Sequence, residues 1–291
     1  MTHHRVAPAA GAGHRPRKRF GQHFLAPAWA DKVIAAIAPS RTDRFLEIGP
    51  GPGVLTGRLA ARSAHVTAIE IDRDLAADLR RTAPANVEIV TADVLDTDLA
   101  ALVPEGPVRV AGNLPYNISS PILFKLLETA GARSAGPGAA DLSGPPPLID
   151  ATLMLQREVV DRLVARPGTK DYGVLTIFVS AAADARRILS LPPGAFRPAP
   201  KVHSAVVRLT FKPSVVPADL NGTFTPMVRT MFMQRRKTLL NALRPFAASI
   251  GRDPGTALAA AGIDPGARPE TLDLAALVAL ATAFGPAAPK A

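Results

Sequence analysis

With 291 residues, 47% of them hydrophobic and 20% charged, the chain has enough apolar material for one large packed domain and a smaller one, which excludes global disorder. No apolar run reaches the roughly 18 residues of a membrane-spanning helix, and the absence of cysteine excludes disulfides, thiolate metal sites and a thiol nucleophile. A soluble, cytoplasmic protein without a metal centre is the expectation.

The formal charge of +10 is unevenly placed: residues 185–252 carry twelve basic side chains against one acid, Asp219, and the first thirty residues contain no acid. Clustered positive charge suits a polyanion, because each phosphate that is neutralised releases condensed counterions. Nucleic acid is favoured over a membrane surface, since neither end shows a strongly amphipathic basic helix.

Residues 1–20 read as a basic flexible arm in which Arg17, Lys18 and Arg19 are candidate phosphate contacts; it has no apolar stretch of the kind a secretory signal needs. Trp29, Val33, Ile34 and Ile37 then recur at helical spacing, predicting a helix over 27–38. Strands are predicted at Arg44–Ile48, His65–Ile71, Val87–Thr91, Val108–Gly112, Ala151–Leu155, Val174–Ser180 and Ala205–Phe211, with helical stretches between most of them. That alternation predicts an α/β, Rossmann-like fold with a mainly parallel, doubly wound sheet. The last two strands are separated only by the Pro-rich stretch Leu191–Pro200, so they are expected to form an antiparallel edge.

Residues 131–148 are mostly Gly, Ala, Ser and Pro and read as a flexible surface insertion. Beyond Pro213 the strand signals stop, and helices are predicted at Phe224–Met233, Gln234–Leu243, Gly255–Ala261 and Leu272–Phe284. The expected domains are therefore the arm, a main domain over 21–213, and a helical domain over 214–291.

The first strand runs into Gly49-Pro50-Gly51-Pro52-Gly53, and a helix is expected from about Val54. Glycines here permit a tight turn and leave room for a nucleoside at a helix N-terminus. The dinucleotide pattern Gly-x-Gly-x-x-Gly fails in both registers, since its last position falls on Val54 or Thr56. Such a loop alone fits a plain tight turn as well. Glu70, at the end of the next strand, can take both hydroxyls of a ribose, and Asp93, at the end of the third, can accept from an adenine amine. Either acid could instead cap a helix. Three such features at three successive strand ends point to one nucleoside at the sheet's carboxyl edge.

Asn113-Leu114-Pro115-Tyr116 follows the fourth strand. The amino nitrogen of adenine is a poor nucleophile because its lone pair is delocalised into the ring. The Asn113 side-chain carbonyl and the Leu114 main-chain carbonyl can each accept one amine N–H, favouring a pyramidal nitrogen whose lone pair points at a methyl donor. Pro115 stiffens the turn, and Tyr116 offers a face for a stacked base. In isolation, a proline turn with a structural Tyr explains the same four residues.

These motifs resemble the KsgA/RsmA family of ribosomal RNA adenine dimethyltransferases over nearly the whole chain from Arg17 onward. The resemblance is carried by Arg19–Leu25, Phe45–Gly53, Glu70-Ile71-Asp72, Asp93, Asn113–Ser119, Met154–Val159, Phe196–Ser204 and Arg235–Asn241. It implies a class I methyltransferase fold and S-adenosylmethionine as cofactor, held by His23, Leu25, Gly49, Gly51, Glu70, Ile71, Asp93 and Asn113. Many relatives have Asn where His23 stands. It also implies catalysis by Asn113, Leu114, Pro115 and Tyr116 on two adjacent adenosines in the 3′-terminal hairpin of small-subunit (16S) ribosomal RNA, during subunit assembly. Arg197 and Lys201, with Arg235, Arg236 and Lys237, are the further candidate RNA contacts, and a monomer is the simple expectation. A large-subunit (23S) adenine methyltransferase of the macrolide-resistance type is the nearest alternative. An assembly or transcription factor that only binds nucleic acid is the other.

Overall fold

Seven strands form one sheet in the computed structural model, which describes residues 22–102, 107–131 and 148–286. Five of them are parallel neighbours: β2 (Arg44–Ile48), β3 (His65–Glu70), β4 (Val87–Thr91), β5 (Val108–Asn113) and β6 (Leu148–Gln156). The spatial order is β4-β3-β2-β5-β6, followed by β9 (Ser204–Phe211) and β7 (Ala183–Leu191). The central strands β2 and β5 are almost wholly buried, which suits their mainly apolar sequences when helices cover both faces, Glu47 and Arg109 being the charged exceptions within them. The order reverses between β2 and β5, which opens a crevice at the carboxyl ends of those two strands.

Helix α1 (Pro27–Ile37) starts with proline at its first turn and buries Ala30, Val33, Ile34 and Ile37. These join Phe45, Met154, Phe196 and Val206 in one core against the sheet. Helices α2 (Thr56–Ala60), α3 (Arg73–Thr82) and α4 (Ser119–Gly131) supply the crossovers among the described residues, α3 being capped by the Asp72 carboxylate on the Asp74 N–H. Opposite the crevice, the Arg109 guanidinium on β5 binds Asp150 on β6 and Asp43 and donates to the Ile37 and Ala38 carbonyls. One cation thereby ties two strands to the C-terminal end of α1, where the helix dipole favours it.

Several expectations are corrected. Val174–Ser180 is not a strand but lies in α6 (Val174–Ala182). Its Val, Thr and Ile content reads as β locally, yet Val174, Ile177, Phe178 and Ala181 fall on one helical face and pack into the core of the C-terminal helices. The antiparallel edge therefore pairs β9 with β6, and the outermost strand is β7, with no strand at 174–180. The expected helix Gln234–Leu243 begins only at Leu239, as α8 (Leu239–Ser249), because Gln234–Lys237 form turns closed by main-chain bonds to Met231 and Gln234. The helix expected from Val54 is the five-residue α2. Within the Pro-rich connection, β8 (Phe196–Arg197) pairs antiparallel with β1 (Phe24–Leu25).

The described residues form two compact units: those up to 160 together with 185–211, and those of 161–184 together with 212 onward. Residues 161–184 thus join the C-terminal helices rather than the main domain. That second unit contains α6, α7 (Asn221–Met233), α8, α9 (Pro254–Ala260) and α10 (Leu274–Phe284) around a core of Ile177, Phe224, Met231, Leu243, Leu280 and Phe284. The short α5 (Arg157–Leu163) crosses the boundary between the units in sequence. The flexible insertion expected at 131–148 falls almost entirely, at 132–147, outside the described residues. No helix among the described residues is long and apolar enough to cross a membrane.

Candidate active site

Ile48 and Gly112 are register partners at the carboxyl ends of β2 and β5. A Cβ on Gly112 would stand 2.7 Å from the Ile48 carbonyl oxygen, so only glycine lets the two strand exits come this close. As a result the glycine loop and the turn Asn113–Tyr116 begin side by side, with the ideal Cβ position of Gly49 3.7 Å from the Asn113 carbonyl.

Gly49, Gly51 and Gly53 have φ of 67°, 56° and 81°, the left-handed region where side chains are strained. The Gly51 N–H donates to Glu70 Oε2 at 3.0 Å, and the Asp72 N–H donates to Glu70 Oε1 at 2.9 Å. Glu70 therefore pins the loop to the start of α3 while each carboxylate oxygen keeps a lone pair for a further donor. Burial pushes its carboxyl up from the usual range, and the two N–H groups oppose that rise. Beside it Ile71 is 44% exposed, an apolar side chain left open at the cleft. Asp93 is half-buried in the loop after β4, where its Oδ1 accepts from the Leu95 N–H at 2.8 Å.

The segment Gln22–Leu25 runs along this cleft. The Phe24 ring closes over Gly51, where an added Cβ would meet it at 3.2 Å. Leu25 is buried in the core beneath α1, its main chain paired with Phe196. The His23 carbonyl accepts from Asn113 Nδ2 at 2.7 Å. The His23 ring stacks on Tyr116, with centroids 5.6 Å apart and planes at 23°, and its Nδ1 lies 2.7 Å from the Pro198 carbonyl. The Tyr116 hydroxyl in turn is 2.7 Å from Ser204 Oγ.

All the residues expected to hold a cofactor, namely His23, Leu25, Gly49, Gly51, Glu70, Ile71, Asp93 and Asn113, line this one cleft. Leu114, Pro115 and Tyr116 line it too. The candidate RNA contacts are more dispersed. Arg197 and Lys201 are exposed, the former folded back on the Gly194 and Phe196 carbonyls. Arg235 is engaged by Glu270 at 2.7 Å and by the Lys170 carbonyl, which leaves Arg236 and Lys237 as the exposed pair of that run. Arg17, Lys18 and Arg19 lie outside the described residues.

Two residues of the cleft region escaped the sequence reading. Glu47 is 1% exposed on β2 and lines the cleft, and its Oε2 makes no hydrogen bond. Burial, with the Glu70 charge adding to it, pushes the Glu47 carboxyl up to about 8. Its signal was an acid inside the otherwise apolar run Phe45-Leu46-Glu47-Ile48. Ser204, at the start of β9, closes the motif Phe196–Ser204, but nothing in that stretch marks its hydroxyl as a partner of Tyr116.

The glycine loop and Glu70 shape a nucleoside site, and the turn after β5 sets an amide carbonyl beside it, so fold and cleft define the protein as a class I S-adenosylmethionine-dependent methyltransferase. Within that class the chain belongs to the ribosomal RNA adenine dimethylase family, whose model matches residues 13–263. It is 44% identical over 273 residues to ribosomal RNA small subunit methyltransferase A of Nitrosococcus oceani, covering 92% of this chain and 96% of that one. To the protein of the same name from Acidithiobacillus ferrooxidans it is 42% identical over 273 residues, covering 92% and 94%. Among solved structures it is similar to a dimethyladenosine transferase from Plasmodium falciparum, with a TM-score of 0.70 and 25% identity over 89% of this chain and 96% of that one. It is also similar to the 23S rRNA methyltransferase ErmE, with a TM-score of 0.63 and 26% identity over 90% and 99%.

The residues present fit the cofactor. Gly51 leaves a cradle that a Cβ would crowd against Phe24, and the unpartnered Glu47 Oε2 is a buried polar atom on the cleft wall that a bound ligand could satisfy.

Proposed function

We propose that this protein dimethylates the N6 amines of two adjacent adenosines in the 3′-terminal hairpin of small-subunit ribosomal RNA during subunit assembly. The observation that carries the reading is the Asn113 amide, held by its nitrogen on the His23 carbonyl in the same cleft as the glycine loop and Tyr116.

S-adenosylmethionine supplies an electrophilic methyl on a sulfonium. The glycine loop, Glu70, Ile71 and Asp93 would hold its nucleoside, Glu70 through the ribose hydroxyls and Asp93 through the adenine amine. Asn113 accepts one N–H of the target amine on its side-chain carbonyl, and the Leu114 carbonyl accepts the other, which draws the nitrogen lone pair out of the ring. Tyr116 stacks the flipped base. No general base of matched pKa is required, because the alkylated nitrogen becomes acidic once the methyl has arrived and releases its proton to water. Catalysis is mainly positioning for in-line transfer.

RNA phosphates are met by the exposed Arg236 and Lys237 of the helical unit, with Arg197 and Lys201 from the main one. The protein acts as a cytoplasmic monomer. Labelled cofactor supplied to undermethylated small subunits and to large subunits tests the substrate: label enters only the small-subunit RNA, and label in the large-subunit RNA would favour the alternative that the likeness to ErmE supports.

A further inference from the structure

Tyr116 works as a base platform only if its ring is held at one angle, and two contacts hold it. The His23 ring lies against it at 5.6 Å and 23°, and the Ser204 hydroxyl meets its phenol at 2.7 Å. Ser204 is 1% exposed and opens β9 opposite Gln156, the last residue of β6, so its Oγ is fixed by the sheet itself. His23 Nδ1 is 2.7 Å from the Pro198 carbonyl; a carbonyl only accepts, so that nitrogen carries the proton. The stretch 198–204 therefore holds Tyr116 twice, directly through Ser204 and indirectly through His23.

We propose that Ser204 is a positioning residue for methyl transfer, orienting Tyr116 so that the target adenine stacks with its amine at Asn113 and Leu114. The inference rests on the adenine-methylating reading above. It also explains why the turn carries Tyr rather than Phe: the hydroxyl is the handle by which the sheet sets the ring. Burial pushes the Tyr116 phenol up, so it stays neutral and serves through its ring and its hydrogen bond rather than as a base.

The test is steady-state methylation of undermethylated small subunits by the full chain, with S-adenosylhomocysteine affinity measured by calorimetry. Ser204→Ala lowers kcat by about tenfold, the rate equivalent of one neutral hydrogen bond, and leaves the cofactor-product affinity within about twofold. Ser204→Thr, which keeps the hydroxyl, restores most of the rate. Tyr116→Phe breaks the same bond from the other side, and the double variant is no slower than the slower single one, because only one bond is lost. Unchanged kcat in Ser204→Ala and Tyr116→Phe, or losses that multiply in the double variant, would overturn the assignment and leave Ser204 a purely structural residue. An inactive wild type that binds cofactor would overturn the functional reading itself, and this inference with it.

Discussion

Asn113 Nδ2 donates to the main-chain carbonyl of His23 at 2.7 Å, a bond between residues ninety positions apart that decides which way the Asn113 amide faces. With its nitrogen held there, the carbonyl branch is the one presented to an incoming amine. Asn113→Asp keeps the shape but loses the donor and sets a carboxylate against the His23 carbonyl. We expect this variant and Asn113→Ala to lose about 10²–10³ in single-turnover methyl transfer, the usual effect of deleting one preorganised polar group. Rates within threefold of wild type would show that the amide orientation is immaterial.

The approach of β2 to β5 depends on Gly112, where a Cβ would stand 2.7 Å from the Ile48 carbonyl. The obstacle is main chain and cannot swing aside. Gly112→Ala is therefore predicted to cost about 1–3 kcal/mol of stability, as overpacking does. It should also weaken cofactor binding, because the two sides of the cleft are pushed apart. Chemical denaturation and calorimetry read the two effects, and an alanine variant as stable and as tight-binding as wild type would contradict the packing described.

Arg109 is 9% exposed and is shared between Asp43 at 2.7 Å and Asp150 at 2.9 Å. Both carboxylates are themselves largely covered, so truncation leaves them short of their cation. Arg109→Ala is expected to destabilise the main domain by about 3–5 kcal/mol. Burial works to raise the Asp43 carboxyl, but its Ser40 and Arg109 bonds outweigh that and hold it below the ordinary carboxylate value. A denaturation midpoint unchanged in the variant would refute the staple.

Glu47 gives the cofactor-free protein a pH signature. Its folded carboxyl is raised to about 8 from the ordinary 4.5, so between those values the folded chain holds a proton that the unfolded chain has released. The contribution to stability is full below the lower value and is lost as pH rises toward the upper one. Glu47→Gln, a neutral isostere, should match wild type near pH 5 and melt at a higher temperature than wild type near pH 9. Parallel melting curves for the two proteins across that window would exclude a buried protonated Glu47.

Much of the fold and of the site is legible in the sequence. Strands β2, β3, β4 and β5 announce themselves as short Val-, Ile- and Ala-bearing segments bounded by turn signals, and Glu70, Asp93 and Asn113 stand out because each lies at or just past the end of such a segment. Helix α6 reads as a strand from sequence, since its Val, Ile and Thr content favours β locally and only packing with α7 and its neighbours decides otherwise. Strand β7 was hidden by Arg186 and Arg187 in its middle, tolerable on an edge that need not be buried. The two-residue pair β1 and β8, the Asn113–His23 bond and the Tyr116–Ser204 bond join segments some ninety or more residues apart, and no local pattern encodes them. Arg235 was counted with Arg236 and Lys237 as one basic run, because nothing in the run says that Glu270 claims the first of the three.

The methylated product tests the proposed reaction most directly. Small-subunit RNA from undermethylated particles, incubated with this protein and S-adenosylmethionine, digested to nucleosides and separated by mass spectrometry, should yield N6,N6-dimethyladenosine at two residues per particle and none with Asn113→Ala. Dimethyladenosine absent from the digest, or methyl groups recovered on a ring nitrogen, a ribose or another base, would contradict the account.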